Sequence, residues 1–469
     1  MDVTGMDRRC ALPRLHHIDS RLCGRYSDLF LTHLSTAEKL AAGFHANPAL
    51  GTSFAATQAA WRFFNNDAVT LPVLAGPLLE CARRQIPLAC DDWLLIAMDW
   101  SNLRFNSHAS KAHRKELTRR NDLGYELMTA LAISDRDGAT LAPLCLELTA
   151  ANGVHSTRGE KPMESGSPLD GLRPVMNHIR AELDKGQGGK PPVFIIDREA
   201  DSVGHFRDWD LSGHRFVVRA DDQPQVMYNL KTMALGRVAD SLKAAGAFAF
   251  ARGVDHKGKA GQQQFVAEAP VMLERPATTQ RVDKKSGKAV KKRIAGAPLA
   301  LRLIVSEVRD ENGKVLARWL LLTNLPASVS AATVALWYYW RWRIESYHKL
   351  LKGAGQQIEQ WQQETPEALA RRLAVAAMAC VVVWTLARDA NPPAAKLRDV
   401  LVQLSGRQIK RGKGRRTFTE PALLAGLGIL IPMLLLLEQH DLEELRDMTR
   451  ELLPGLLKES TNKPLRGDV

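Results

Sequence analysis

Three acidic residues stand out for the chemistry they could do together. Asp99 closes the short apolar run WLLIAMD, Asp197 closes the buried run VFII, and Glu345 lies in the segment YYWRWRIESYHKLLK. That segment spaces its polar residues as Tyr338-x2-Arg341-x3-Glu345-x6-Lys352, with Lys349 between the last two. A carboxylate inside a sheet is costly unless something positive meets it. Three gathered at one point suit Mg²⁺, a hard ion that takes oxygen ligands and keeps water. Two such ions about 4 Å apart would activate the attacking oxygen and stabilise the leaving oxygen of a phosphodiester. Asp99, Asp197 and Glu345 are therefore the candidate metal ligands and catalytic residues, with Arg341, Lys349 and Lys352 as cations to grip nucleic-acid strands.

Each acid also has an ordinary reading. Asp99 could cap a strand end, Asp197 could pair with Arg198 or Arg219, and Glu345 could be the i,i+4 partner of Arg341 on a salt-bridged helix face. Glu199 and Asp201 read as the charge and cap of a helix start. His348 is the one histidine on the same face as the glutamate. The ordered trio carries more than any single member.

The elements that would position these residues follow from periodicity. On one helix, Tyr338, Arg341, Glu345, Lys349 and Lys352 fall within about 80° of one another, and Trp340, Ile344, Tyr347 and Leu351 gather on the far side. Upstream, Ser35 to about Ala89 is Ala-rich and helical in pattern, and TQAAWRFF ends in the stop signal Asn65-Asn66-Asp67. Trp93 to Asp99, Tyr125 to Ile133 and Thr140 to Thr149 read as strands, the last two joined by the turn Asp135-Arg136-Asp137-Gly138. A polar loop at 153–168, a helix at Leu169 to Lys185, a break at Gly186 to Pro192, the strand VFII, a helix from Asp201 to about Asp208 and the strand Arg215 to Arg219 come next. Three strands, helix, strand, helix, strand is the order of a ribonuclease-H-like mixed sheet, in which the first and fourth strands would be neighbours.

From Asp221 to Leu322 no helical period shows. Phe248 to Val254, Gln264 to Leu273, Leu299 to Val308 and Arg318 to Thr323 read as strands of a β-rich insertion, interrupted by Lys284, Lys285, Lys288, Lys291, Lys292 and Arg293. After Gln360 the pattern is helical to the end, with a second basic run from Arg407 to Arg416. The expected class is α/β. A helical N-terminal DNA-binding domain (1–85) precedes a ribonuclease-H-like catalytic domain (86–360, insertion about 221–322) and a helical, dimerising C-terminal domain (361–469).

Composition agrees with a globular chain that meets polyanions. The 469 residues carry 64 Lys and Arg against 51 Asp and Glu, a net +13, with 45% hydrophobic and 25% charged residues. The six cysteines show neither zinc spacing nor a disulfide framework, and the N-terminus lacks an apolar signal segment. A cytoplasmic protein is expected. The uncharged runs Leu373 to Ala387 and Pro421 to Leu437 fall short of the ~20 residues that span a bilayer and read as buried helices, the second interrupted by Pro432. No membrane partner is expected.

IAMDWSNL around Asp99, IIDREAD around Asp197 and the Tyr338/Arg341/Glu345/Lys352 signature in WRWRIESYHKLLKGAG resemble bacterial DDE transposases of the insertion-sequence-four type. ATQAAWRFFNN, HRFVVR ending at Arg219 and RWLLLT around Trp319 extend the resemblance over roughly residues 35 to 365. It implies a dimeric cut-and-paste enzyme that uses Mg²⁺, with Mn²⁺ substituting, on double-stranded DNA. Such an enzyme nicks the transposon end, closes a hairpin, reopens it and joins the 3′ end to target DNA. It further implies that Trp319, with Arg219 beside it, stacks a base that leaves the helix. Tyr338, Arg341, Lys349 and Lys352 would hold phosphates. A non-cutting DNA-binding relative acting as a repressor, a glycosidase using paired carboxylates and a nuclease that only hydrolyses are the alternatives.

Overall fold

The computed structural model describes residues 15–16, 18–35, 53–185, 189–197, 202–256, 258–282, 289–406 and 418–452. Three helices open the chain: α1 (Ser20–Ser35), α2 (Ser53–Phe64) and α3 (Leu71–Ala89). Pro72 lies in the first turn of α3, where a missing N–H costs nothing, and Leu74, Leu78, Ala82 and Ile86 turn inward. Strands β1 (Leu94–Arg104), β2 (Lys115–Glu116), β3 (Leu123–Ser134), β4 (Thr140–Ala150) and β5 (Gly153–Ser156) follow. The next part alternates: α4 (Leu172–Asp184), β6 (Pro192–Ile196), α5 (Val203–Leu211) and β7 (Arg215–Ala220).

The β-rich stretch comprises β8 (Gln225–Tyr228), β9 (Lys231–Ala234), α6 (Leu235–Ala244), β10 (Ala249–His256), β11 (Lys259–Leu273), β12 (Ala277–Val282), β13 (Ala289–Ile294), β14 (Leu299–Arg309) and β15 (Val315–Thr323). Helices α7 (Ala331–Trp340), α8 (Arg343–Leu351), α9 (Pro366–Arg388), α10 (Pro392–Leu404), α11 (Glu420–Leu437) and α12 (Leu442–Leu452) complete the described chain.

Among the described residues, 13 strands form one mixed sheet whose main path runs β5-β4-β3-β1-β6-β7-β15-β14-β11-β8-β9. β1 pairs antiparallel with β3 and parallel with β6, and β6 pairs parallel with β7. The first and fourth strands of the notional core are thus neighbours, as expected from the order of elements. β15 returns antiparallel to β7, so the β-rich stretch continues this sheet. The middle strands carry near-continuous apolar runs because both faces are covered: Leu94 to Met98 and Val193 to Ile196 are fully buried. Helix α8 packs on β1 and β3, α3 and α9 pack on β4, and α1 packs on α9 and α11.

Six expectations need correction. Asp99 lies in the middle of β1, which runs on to Arg104, and not at its end, and β5 (Gly153–Ser156) pairs with β4 at the start of the stretch expected as a polar loop. The stretch after Asp221 does contain a helix, α6, whose buried Leu235, Val238, Ala239 and Leu242 keep a 3.6-residue period over ten residues. Tyr338 to Lys352 is two helices: around Arg341 and Trp342 the backbone tightens to i→i−3 bonds, Arg341 N to Tyr338 O, Trp342 N to Tyr339 O and Ile344 N to Arg341 O. Helix α11 passes through Pro432 unbroken. It is also not fully buried: Ile429, Met433, Leu434, Leu436 and Leu437 are exposed. Among the described residues two helices are long and apolar enough to cross a membrane; 78% of the most apolar 18-residue stretch is buried in α9 and only 33% in α11. Arg198 to Asp201, Lys284, Lys285 and Lys288, and the basic run Arg407 to Arg416 lie outside the described residues.

Candidate active site

The sheet register delivers the two aspartates together. The last parallel pair of β1 and β6 is Met98 with Ile196, and one residue further along come Asp99 and Asp197. On the other side Ile196 pairs with Val218, so Arg219 comes level with Asp197. Across the next ladder Arg219 faces Leu321. Trp319, two residues before Leu321, therefore shares its face of the sheet. Asp99, Asp197, Arg219 and Trp319 are brought into one neighbourhood by pairing alone.

Glu345 comes from the first turn of α8, and Arg341 sits at the tightened junction between α7 and α8. Its guanidinium is 2% exposed and joins all three acids. Nη1 donates to Asp99 Oδ2 at 2.9 Å, and Nη2 donates to Asp197 Oδ2 at 2.9 Å and to Glu345 Oε1 at 3.4 Å. Tyr338, buried at the end of α7, donates its hydroxyl to Asp197 Oδ1 at 3.1 Å. Arg219 Nη1 stands 3.5 Å from the same oxygen. The backbone N–H of Trp100 donates to Asp99 Oδ1 at 2.9 Å. A tip contact steadies the junction from outside. Gly138 in the β3–β4 turn has φ 70°, and a Cβ there would lie 2.5 Å from the Trp340 ring, while its carbonyl accepts from Arg343 Nε.

The electrostatics follow from burial and from like charges held close. Burial pushes the Asp99 carboxyl up; Arg341 and the Trp100 N–H pull it back, and Asp197 pushes it up again, leaving it above the usual range. Glu345 is also raised, by burial first and by Asp99 and Asp197, against the pull of Arg341 and Lys349. Burial opposes the charge on Arg341, but Tyr338, Asp197, Asp99 and Glu345 outweigh it and raise its pKa.

The remaining sequence candidates fall outside this cluster. Lys349 is exposed on α8. Lys352 caps the end of α8 and is tied down, donating to the Asn102 carbonyl at 2.6 Å with Glu359 3.7 Å away. His348 is buried, 3.4 Å from Thr129 Oγ1, with burial taking its imidazole down to about 3. It faces the sheet, away from solvent.

Next to Trp319 lies a cavity of about 400 Å³ lined also by Tyr339, Trp340, Trp342, Arg343, Ser346, His256 and Asp255, with none of the three acids in its wall. Trp319 leans on Tyr338, ring centroids 6.0 Å apart, and on His256 at 6.3 Å. Trp342 is 49% exposed at this cavity, whereas Trp319 is 8% exposed. Sequence reasoning singled out Trp319 and passed over Trp342. The signal was available, since Tyr339-Trp340-x-Trp342 is an aromatic run inside the charged signature.

Three carboxylates meeting at one cation are a donor set that fits a hard divalent ion by chemistry. Here the guanidinium of Arg341 stands among them. Among the described residues no group of three or more His, Cys, Asp and Glu is disposed to hold a metal.

No family model and no curated protein sequence matches the chain. Among solved structures it is similar to a cryo-EM structure of the piggyBac transposase synaptic complex with hairpin DNA, at TM-score 0.30 and 11% identity, over 81% of this chain. The chain spans 61% of the length of that one. Likeness at this level fixes neither fold nor activity.

Proposed function

We propose that the chain is a cut-and-paste DNA transposase of the DDE type, built on a ribonuclease-H-like core. The observation that carries this reading is the meeting of Asp99, in the middle of β1, Asp197, just past the end of the adjacent β6, and Glu345, from a late helix, at a single cation close to an aromatic cavity. The strand order β4-β3-β1-β6-β7, in which β3 alone of the five runs antiparallel to β1, supports the core assignment, and the signature residues support the insertion-sequence-four type.

On this reading Asp99, Asp197 and Glu345 hold Mg²⁺, or Mn²⁺ in its place, which when bound polarises the scissile phosphate and activates the attacking water or 3′-hydroxyl. Tyr338 orients Asp197 through its hydroxyl. Arg219, Lys349, Lys352 and Arg341 would hold the phosphates of the DNA, Lys352 and Arg341 after leaving the partners that hold them here. The cavity receives a base when the end is bent into a hairpin, with Trp319 stacking on it; aromatic stacking returns about 1–3 kcal/mol per base. The exposed apolar face of α11 supports a homodimer. The protein acts in the cytoplasm, on the nucleoid, and not at a membrane.

One observation favours a second reading, a DNA-binding relative that no longer cuts: Arg341 already occupies the position shared by the three acids. Labelled DNA carrying the ends that flank the gene separates the two, incubated with Mg²⁺ or with chelator and resolved on a denaturing gel beside Asp197→Ala. Metal-dependent nicks and hairpins absent from the variant support the transposase. Binding without cleavage under several metals and with paired ends supports the silent relative.

A further inference from the structure

We propose that Arg341 is a built-in counter-ion that occupies the shared cation position of Asp99, Asp197 and Glu345 until a divalent ion displaces it, so that metal loading is held back by the protein's own guanidinium. This rests on the metal-site reading above.

The argument starts from the lone pairs. A metal ion would need the inward-facing oxygen of each acid, and those oxygens, Asp99 Oδ2, Asp197 Oδ2 and Glu345 Oε1, are the ones that accept from Arg341. The outer oxygens of the aspartates are held by other donors, Trp100 N–H on Asp99 and the Tyr338 hydroxyl on Asp197. Turning either carboxylate to present a different oxygen would break those bonds. Metal and guanidinium therefore compete for the same atoms.

Arg341 is seated for this task at some cost. Its Nε is buried and makes no hydrogen bond, and a buried donor left unmet is unfavourable. The backbone around it departs from regular α-helix to i→i−3 bonds, with neither proline nor glycine in the segment to cause it. Both features follow if the side chain is drawn to the two aspartates of adjacent strands instead of following the helix surface. Guanidinium is also a planar fork that suits phosphate as well as carboxylate. A DNA phosphate laid beside the site offers Arg341 an alternative partner, so binding of DNA and binding of metal would reinforce one another.

The test is Mn²⁺ binding by the full-length chain without DNA, followed by the electron-spin-resonance signal of the free ion, together with melting temperature in chelator and in Mn²⁺. Wild type is compared with Arg341→Met, Arg341→Lys and each of these with Asp197→Asn added. The expected result is Mn²⁺ binding at least about tenfold tighter in Arg341→Met than in wild type, with Arg341→Lys between them. Arg341→Met should melt lower than wild type in chelator and recover in Mn²⁺, since its three acids have then lost their shared counter-ion until the metal arrives. Arg341→Lys keeps a positive charge at the acids and covers the case in which the methionine variant does not fold. Equal or weaker Mn²⁺ binding in both variants overturns the counter-ion, provided Asp197→Asn abolishes that binding. If Asp197→Asn leaves Mn²⁺ binding intact in every background, the carboxylates are not the metal site and the underlying reading fails instead.

Discussion

The Tyr338 hydroxyl lies 3.1 Å from Asp197 Oδ1, joining the end of a central strand to a helix 141 residues later in the chain. Burial raises the Tyr338 pKa, and the nearby Asp197 adds to it against Arg341 and Arg219, so the phenol keeps its proton and remains a donor. Through this bond the strand that carries the acid and the helix pair that covers it hold one another in place.

Tyr338→Phe should therefore cost about 1.5–3 kcal/mol, the range for a hydrogen bond to a charged group, and slow strand nicking while leaving DNA affinity within a few-fold of wild type. Urea unfolding and a gel-shift measurement check the two parts separately. A variant as stable and as active as wild type would remove the orienting role.

Removing one carboxylate should stop the chemistry without stopping binding. Several kcal/mol of transition-state stabilisation lost correspond to roughly 10²–10⁴ in rate, so Asp99→Ala, Asp197→Ala and Glu345→Ala should each nick at or below about 1% of the wild-type rate. Single-turnover cleavage of pre-bound DNA is the measurement. Full activity in any one of them would take that residue out of the site.

The two tryptophans at the cavity separate stability from function. Trp319 is buried, so Trp319→Ala should cost about 3–5 kcal/mol of stability in addition to any effect on hairpins. Trp342 is half exposed, and Trp342→Ala should leave stability within about 1 kcal/mol. If the cavity receives a base, Trp342→Ala keeps nicking and loses hairpin product about fivefold or more. Equal loss of both products would argue for a general defect.

Acid should destabilise the fold through three buried histidines. Burial takes His33 and His348 down to about 3 and His214 to about 4. The unfolded chain protonates each near pH 6.5, while the folded chain does not until pH 3–4. The unfolded state then binds more protons across that window, so stability is full above pH 6.5 and falls as pH drops through it. At pH 5 each group accounts for up to about 2 kcal/mol. Urea midpoints at pH 7.5 and pH 5 measure the slope, which His348→Gln should reduce; a flat profile would mean the imidazoles charge without unfolding.

The exposed apolar face of α11 predicts self-association. Leu434→Glu with Leu437→Glu should shift the chain from dimer to monomer in sedimentation while changing the melting temperature little, because both side chains face outward. An unchanged oligomeric state would locate any dimer contact elsewhere.

The longer strands of the sheet were legible because their signal is local, whereas the short β2, β5, β8 and β9 were not, since two to four residues hold too little of a period. Leu94 to Asp99 and Val193 to Ile196 are apolar runs bounded by charge, and Asp-Arg-Asp-Gly between two such runs specifies a hairpin that needs the positive φ of Gly138. The short helix α6 went unseen, since ten residues hold fewer than three turns and sit among strands. The exposure of α11 was not legible either, because an apolar helix reads alike whether or not something covers it.

The acids, their order and the place of Asp197 at a strand end were determined by the sequence itself, since side-chain type and apolar runs bounded by charge are properties of neighbouring residues; that β1 runs on past Asp99 to Arg104 was not. What only the tertiary structure decided is which cation meets them. A regular helix would put Arg341 and Glu345 on an outward face, but packing α8 onto β1 and β3 brings that face against the sheet. The tightened turn at Arg341 and Trp342 then buries the guanidinium among carboxylates from three separate segments. That outcome depends on long-range burial and charge, which no local period encodes.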